Sequence, residues 1–270
     1  MNADFPAGWS GSYPGPMLLL SAVLAGLVVG SFLNVCIHRV PHKLSIVRPR
    51  SCCPHCSAPV LPRDNVPLLS YALLGGRCRA CREPIGARYP FVELLTALLF
   101  AALVLHFGLS PQLVGPTVLT CALITVTFID LDHQIIPDVI SLPGIVVGFL
   151  LALGGLGPTW GDSLAGLLLG GGFLWAVAEG YYRATGREGM GGGDIKLLAM
   201  IGAFLGWKSV LLVLMVASVT GSIAGGMIML LRGVDSKVPI PFGPFLAAGA
   251  LIALFSGDQI VDWYVGNFYP

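Results

Sequence analysis

Long uncharged apolar stretches constrain this chain more than any other feature of its sequence. The first runs from Met17 to Cys36 without a charged residue, and about 20 apolar residues are enough for an α-helix to cross a bilayer. Over the whole chain 55% of the residues are hydrophobic and 11% are charged, whereas a soluble domain carries about 25% charged residues. The composition therefore excludes a soluble globular domain and predicts an all-α polytopic membrane protein.

The apolar stretches predict about eight transmembrane helices. The expected spans are residues 17–36, 91–109, 113–129, 139–156, 163–181, 195–207, 209–231 and 241–257. The sixth span is short, so an alternative with seven spans makes residues 195–207 re-entrant. Eight spans are preferred because they separate the basic residues more cleanly.

The basic residues predict the orientation in the membrane. With eight spans, 14 of the 15 Lys and Arg side chains fall on one side, and only Lys208 falls on the other. The 14 are Arg39, Lys43, Arg48, Arg50, Arg63, Arg77, Arg79, Arg82, Arg88, Arg183, Arg187, Lys196, Arg232 and Lys237. Because loops rich in Lys and Arg stay in the cytoplasm, that side is expected to be cytoplasmic and both termini external.

Three parts of the chain follow from this topology. Residues 1–36 form an external N-terminal tail and the first transmembrane helix. Residues 37–90 form a small cytoplasmic domain that is rich in proline and cysteine. Residues 91–270 supply seven further transmembrane helices, which are expected to form the core of the protein.

Four cysteines in the 37–90 segment have the spacing of a metal site. Cys53 and Cys56 are followed, after 21 residues, by Cys78 and Cys81. Two such Cys-x-x-Cys pairs suit tetrahedral zinc, and four thiolates close its coordination shell. The sequence therefore predicts a structural zinc, which supplies folding energy to a segment too small for a sizeable core.

Other interpretations of the 37–90 segment are less favoured. Disulfides would need an oxidising compartment, which the predicted cytoplasmic location does not provide. Cys52 competes with Cys53 as a ligand, but Cys53 has the right spacing to Cys56, and His55 is expected to be an exposed polar residue. Cys36 and Cys121, inside apolar spans, are expected to serve packing. The arginines are expected to satisfy the positive-inside rule or to meet anionic lipid headgroups, with no nucleic acid bound.

Two acidic motifs stand at the ends of apolar spans. Asp130 follows the third span and Asp194 precedes the sixth, after the glycines 191–193. A carboxylate at membrane depth is costly, so it needs a partner or a function. Two crossings separate the motifs, so both are expected at the cytoplasmic boundary, where two carboxylates that share one proton can activate a water molecule.

The residues alone leave the first carboxylate open among three candidates. Asp130 directly follows an apolar span, where loss of water favours a shared proton. Asp132 is equally consistent with an exposed loop residue. Asp138 follows Pro137 and is consistent with a cap of the next helix.

The second motif also has two interpretations. Gly191 and Gly193 would let an extended substrate backbone approach Asp194 closely, and are candidate substrate-binding residues. Alternatively, the glycines form a turn and Asp194 caps the helix that follows. Lys196 could tune the carboxylate pair or only mark the cytoplasmic boundary.

Several motifs together resemble the type IV prepilin peptidases, which are membrane aspartic proteases of the Gly-x-Gly-Asp kind. The resemblance covers nearly the whole chain. It is carried by residues 30–35 with 39–41, and by residues 64–71, 88–95, 128–138 and 188–194, the last containing Gly-Gly-Gly-Asp at positions 191–194.

This resemblance implies a bacterial inner-membrane enzyme with Asp130 and Asp194 as its catalytic pair. Its substrates would be type IV prepilins and type II secretion pseudopilins, cut after a glycine at the cytoplasmic face. Many members then methylate the new N-terminal amine with S-adenosylmethionine, and the four-cysteine loop is typical of members with both activities. The rival functions are an ion- or proton-coupled transporter that uses the paired aspartates, and a non-catalytic scaffold for pilus assembly.

Overall fold

The computed structural model describes residues 15–187, 191–232 and 241–268. The predicted external tail before residue 15 lies outside the described residues. So do Lys237 and the three residues before the glycines 191–193, which are Glu188, Gly189 and Met190. The described residues contain α-helices and two short 3-10 helices but no β-strand, which confirms the all-α class. The α-helices are α1 (Pro16–Arg39), α2 (Leu69–Leu73), α3 (Arg88–Phe107), α4 (Val114–His133), α5 (Asp138–Leu153), α6 (Trp160–Thr185), α7 (Gly192–Leu205), α8 (Trp207–Arg232) and α9 (Gly243–Phe268).

The eight longer helices follow the eight predicted spans in order. Six of them, α1, α3, α4, α6, α8 and α9, are long and apolar enough to cross a membrane. Helix α5 is apolar but has 16 residues, and α7 has 14. At 1.5 Å per residue α7 is about 21 Å long, shorter than the roughly 30 Å of a bilayer core. The chain is thus a multi-pass membrane protein, with the exact number of spans still a prediction.

The described chain divides into two compact units, residues 15–113 and the residues from 114 onward. In the first unit α1 packs along α3 through small residues. A Cβ atom on Gly26 would lie 2.6 Å from Cα of Ala97, so only glycine permits this close approach. Near the end of α1, Nδ2 of Asn34 donates a hydrogen bond to the carbonyl of Tyr89 at 3.0 Å.

The cysteine-containing segment of the first unit is tied to α3 by one buried carboxylate. Oε2 of Glu93, a residue only 8% exposed, accepts a hydrogen bond at 2.9 Å from the N–H of Leu68. Within the segment, Arg79 holds Asp64 with hydrogen bonds of 2.7–3.0 Å from two guanidinium nitrogens. This guanidinium keeps the pKa of the Asp64 carboxyl below its usual range.

The second unit is built around α7. Every residue from Leu197 to Phe204 is buried, as expected for a short helix that is apolar on all sides and enclosed by other helices. Helix α6 packs closely against α7 at Gly166 and Gly202. A Cβ atom on Gly166 would collide with the carbonyl of Gly202. Oγ of Ser163 also donates a hydrogen bond to the carbonyl of Ala203 at 2.7 Å. These contacts fix the helix whose first turn carries Asp194.

Candidate functional site

The four cysteines of the two Cys-x-x-Cys pairs come together in the first unit. The sulfur atoms of Cys53, Cys56, Cys78 and Cys81 all lie within 4.8 Å of one another, and those of Cys53 and Cys81 are 3.8 Å apart. Tetrahedral zinc with bonds of about 2.3 Å to sulfur requires sulfur–sulfur distances near 3.8 Å. The four residues could therefore hold a metal ion of this kind.

The backbone builds the two pairs in the same way. The N–H of Cys53 donates to the carbonyl of Ala58 at 2.9 Å, and the N–H of Cys78 donates to Glu83 at 2.8 Å. The residues after the second cysteines, Ser57 and Arg82, both have positive φ. These matching turns present the two thiol pairs to a common centre, which is how Cys-x-x-Cys knuckles hold a metal.

The pKa values of the clustered thiols differ, and a bound cation would favour the thiolate form of all four. The N–H groups of Cys81 and Ala80 lower the pKa of the Cys78 thiol to about 6, so one thiolate forms near neutral pH. The N–H of Glu83 also favours the Cys81 thiolate, but burial and the neighbouring thiols raise the pKa of Cys81 to about 12. A divalent cation would offset the repulsion between thiolates and let all four ionise.

The remaining cysteines and the histidine lie outside this cluster. Cys52 and His55 are exposed, and Cys36 and Cys121 are half-buried in α1 and α4. All the cysteines are described, and none of them forms a disulfide.

In the second unit the helix topology brings the two predicted carboxylates near each other. Asp130 lies in the last turn of α4 and is 5% exposed. Its Oδ2 accepts a hydrogen bond at 2.9 Å from the N–H of Gly243, the first residue of α9. Asp194 is half-buried in the first turn of α7, close enough to Asp130 for their charges to interact.

The other two candidates for the first carboxylate lie in different surroundings. Asp132 is exposed, and Asp138 is exposed at the start of α5. Asp138 accepts hydrogen bonds of 2.7 and 2.8 Å from Nζ of Lys196. Lys196 is therefore engaged in an exposed ion pair, a kind of contact that contributes at most about 1 kcal/mol.

The two predicted substrate-binding glycines have different neighbours. Gly191 is exposed, and a Cβ atom there would lie 3.7 Å from Oδ2 of Asp194. A Cβ atom on Gly193 would lie 2.8 Å from Cβ of Ile136, so Gly193 serves the packing of α7 against the α4–α5 connection. The N-cap of α7 is Gly191, so the alternative interpretation of Asp194 as the cap is wrong.

Sequence reasoning missed Gly243, the residue that contacts Asp130. A signal was present, because Pro241, Phe242, Gly243 and Pro244 stand at the start of the last apolar stretch. Proline is typical of a helix start, and glycine is the residue that lets a backbone approach another group closely.

Two family models match the chain. The one described as the bacterial Peptidase A24 N-terminal domain matches residues 24–107, and the one described as the type IV leader peptidase family matches residues 117–226. No solved structure matches the chain.

Relatives named prepilin leader peptidase/N-methyltransferase are similar over nearly their whole length. The Aeromonas hydrophila protein is 42% identical over 278 residues, which cover 94% of this chain and 96% of the relative. The Pseudomonas aeruginosa protein is 41% identical over 270 residues, with coverages of 92% and 93%. The Legionella pneumophila protein is 38% identical over 281 residues, with coverages of 94% and 96%. None of these matches supports the transporter or the scaffold.

Proposed function

Because the chain belongs to the type IV leader peptidase family, we propose that it removes the leader peptides of type IV prepilins and type II secretion pseudopilins. The new N-terminal residue is then methylated. The observation that carries the proposal is the buried carboxylate of Asp130, held near Asp194 in a chain so similar to prepilin leader peptidases. Gly191, exposed beside Asp194, is the point where we propose that an extended substrate backbone approaches.

Hydrolysis by this pair requires one proton between two carboxylates. The ionised carboxylate takes a proton from water as the water attacks the scissile carbonyl carbon. The protonated carboxyl donates a hydrogen bond to the carbonyl oxygen, where negative charge develops. Transfer of a proton to the leaving nitrogen then releases the leader and the mature N-terminus, with no covalent intermediate.

We also propose the orientation that the basic residues indicate. The enzyme lies in the bacterial inner membrane with both termini external, and residues 37–90 form a cytoplasmic zinc domain. Cleavage then occurs at the cytoplasmic face, after a glycine and ahead of the hydrophobic helix of the prepilin. Membrane lipid is the surrounding partner, and nucleic acid is not bound.

The methyl donor in this proposal is S-adenosylmethionine. Cleavage creates a primary amine beside the membrane, and the neutral amine can attack the methyl group of the sulfonium in line. The methyl–sulfur bond breaks as the methyl–nitrogen bond forms, and a proton leaves the nitrogen. The second activity therefore needs the product of the first.

Purified protein and a synthetic prepilin test the peptidase proposal. In detergent micelles, we expect the protein to cut a prepilin with a basic leader once, after the leader glycine, as read by mass spectrometry. A prepilin with a bulky residue in place of that glycine is the matched control and should remain whole. If the folded protein leaves the prepilin with the leader glycine intact, the proposed peptidase activity is wrong.

Zinc bound by the four clustered cysteines is a separate prediction. Elemental analysis should find one zinc per chain, and Cys56→Ser should lose most of that zinc because three thiolates leave the coordination shell open. Since metal binding supplies folding energy, the 37–90 segment of this variant should be cut faster by added protease.

Cys52→Ser is the matched control for the zinc prediction, because Cys52 is exposed and outside the cluster. This control should keep its zinc and its resistance to protease. Metal-free protein with four free thiols and an equally resistant segment would contradict the structural role of zinc.

A further inference from the structure

Gly243 is the residue whose backbone meets the buried carboxylate of Asp130. Its N–H donates to Oδ2 at 2.9 Å, and the contact joins the end of α4 to the start of α9 across 113 residues of chain. Within the described part of the chain this is the only hydrogen bond to the side-chain carboxylate of Asp130. Lys196, two residues after Asp194, is paired with Asp138.

The start of α9 leaves this one N–H for the carboxylate. Pro244, the next residue, has no N–H. The N–H groups of Phe245 and Leu246 both donate to the carbonyl of Phe242, at 3.1 and 3.2 Å. The first turn of the helix thus offers its unused donor, from Gly243, to Asp130.

The contact also requires that residue 243 have no side chain. A Cβ atom on Gly243 would lie 2.7 Å from Oδ2 and 3.2 Å from Cγ of Asp130. Since Asp has a short side chain with two torsions, an alanine at position 243 would turn the carboxylate away from its hydrogen bond. Any larger side chain would displace it further.

We infer that Gly243 is a positioning residue for hydrolysis, and that its N–H fixes the orientation of the Asp130 carboxylate toward the substrate. One carboxylate oxygen is held by the backbone of α9, which leaves the other, Oδ1, for the reaction. This inference rests on the proposed peptidase function. Gly243 itself does not touch the substrate, so its effect passes through Asp130.

The consequence is a loss of turnover without a loss of substrate binding. A hydrogen bond to a charged group contributes enough that its removal should lower kcat for prepilin cleavage by about tenfold or more. Gly243→Ala should therefore show this fall in kcat with an unchanged Kd for an uncleavable prepilin. The matched control is Gly257→Ala in the same helix, because the nearest atom to its new Cβ would be 3.9 Å away.

Two quantities are measured for purified wild type, Gly243→Ala and Gly257→Ala. They are the rate of prepilin cleavage and the number of molecules that bind the uncleavable prepilin. We expect Gly257→Ala to match wild type and Gly243→Ala to bind normally but cleave slowly. Equal cleavage rates in the two alanine variants would overturn the inference. Absence of cleavage by wild type would instead overturn the peptidase proposal on which the inference rests.

A double variant resolves the case in which Gly243→Ala folds poorly. Asp130→Ala removes the carboxylate that the new Cβ would meet, so adding Gly243→Ala to it should leave the number of binding-competent molecules unchanged. If Gly243→Ala lowers that number equally in both backgrounds, its effect does not pass through Asp130 and the inference is wrong.

Discussion

Asp130→Asn and Asp194→Asn should each lower the rate of prepilin cleavage by at least about 10³-fold, because each change removes one of the two proton-transfer groups. The substitution keeps the size of the side chain, so both variants should still insert in the membrane and bind an uncleavable prepilin. Initial rates measured with purified protein in detergent, normalised to binding-competent molecules, test this prediction.

Asp138→Asn is the matched control for these two variants. It also replaces an acidic residue of the same unit, but Asp138 is exposed and contacts Lys196. Loss of such an exposed ion pair should leave the rate within about fivefold of wild type. Either Asp130→Asn or Asp194→Asn cleaving at the wild-type rate would remove that aspartate from the mechanism.

The second large effect is a separation of the two activities. Asp194→Asn should fail to cleave prepilin yet still transfer a methyl group from S-adenosylmethionine to a mature pilin supplied in its place. A carboxylate pair that activates water has no evident part in moving a methyl group between sulfur and nitrogen. Mass spectrometry of the mature pilin, with and without donor, measures this transfer.

Wild-type protein is the reference for the methylation measurement. If wild type leaves mature pilin at its unmodified mass in the presence of donor, the protein is a peptidase alone. If wild type methylates the pilin and Asp194→Asn does not, both activities depend on the same site, and their proposed separation is wrong.

The sequence predicted the helices well because each apolar stretch must satisfy its backbone hydrogen bonds internally. The predicted ends of the helices were less accurate. The span expected at 241–257 is the beginning of α9, which continues to Phe268. The polar residues Asp258 and Asp262 end the apolar stretch but do not end the helix.

The cysteine cluster was predictable because ligand spacing alone specifies it. The surroundings of the aspartates could not be predicted from the sequence, because they depend on contacts between helices that are distant in the chain. Spacing left Asp130, Asp132 and Asp138 as alternatives, whereas burial separates the first from the other two. The hydrogen bond from Gly243 to Asp130 joins residues 113 positions apart. The contact of Gly193 with Ile136 depends on how α7 packs.

The comparison of Asp130→Asn with Asp132→Asn tests the central claim most directly, because the two residues are two positions apart and differ in burial. Initial rates of prepilin cleavage by the two purified variants are measured side by side. We predict loss of cleavage in Asp130→Asn and a rate close to wild type in Asp132→Asn. An active Asp130→Asn beside an inactive Asp132→Asn would contradict the assignment of the carboxylate pair.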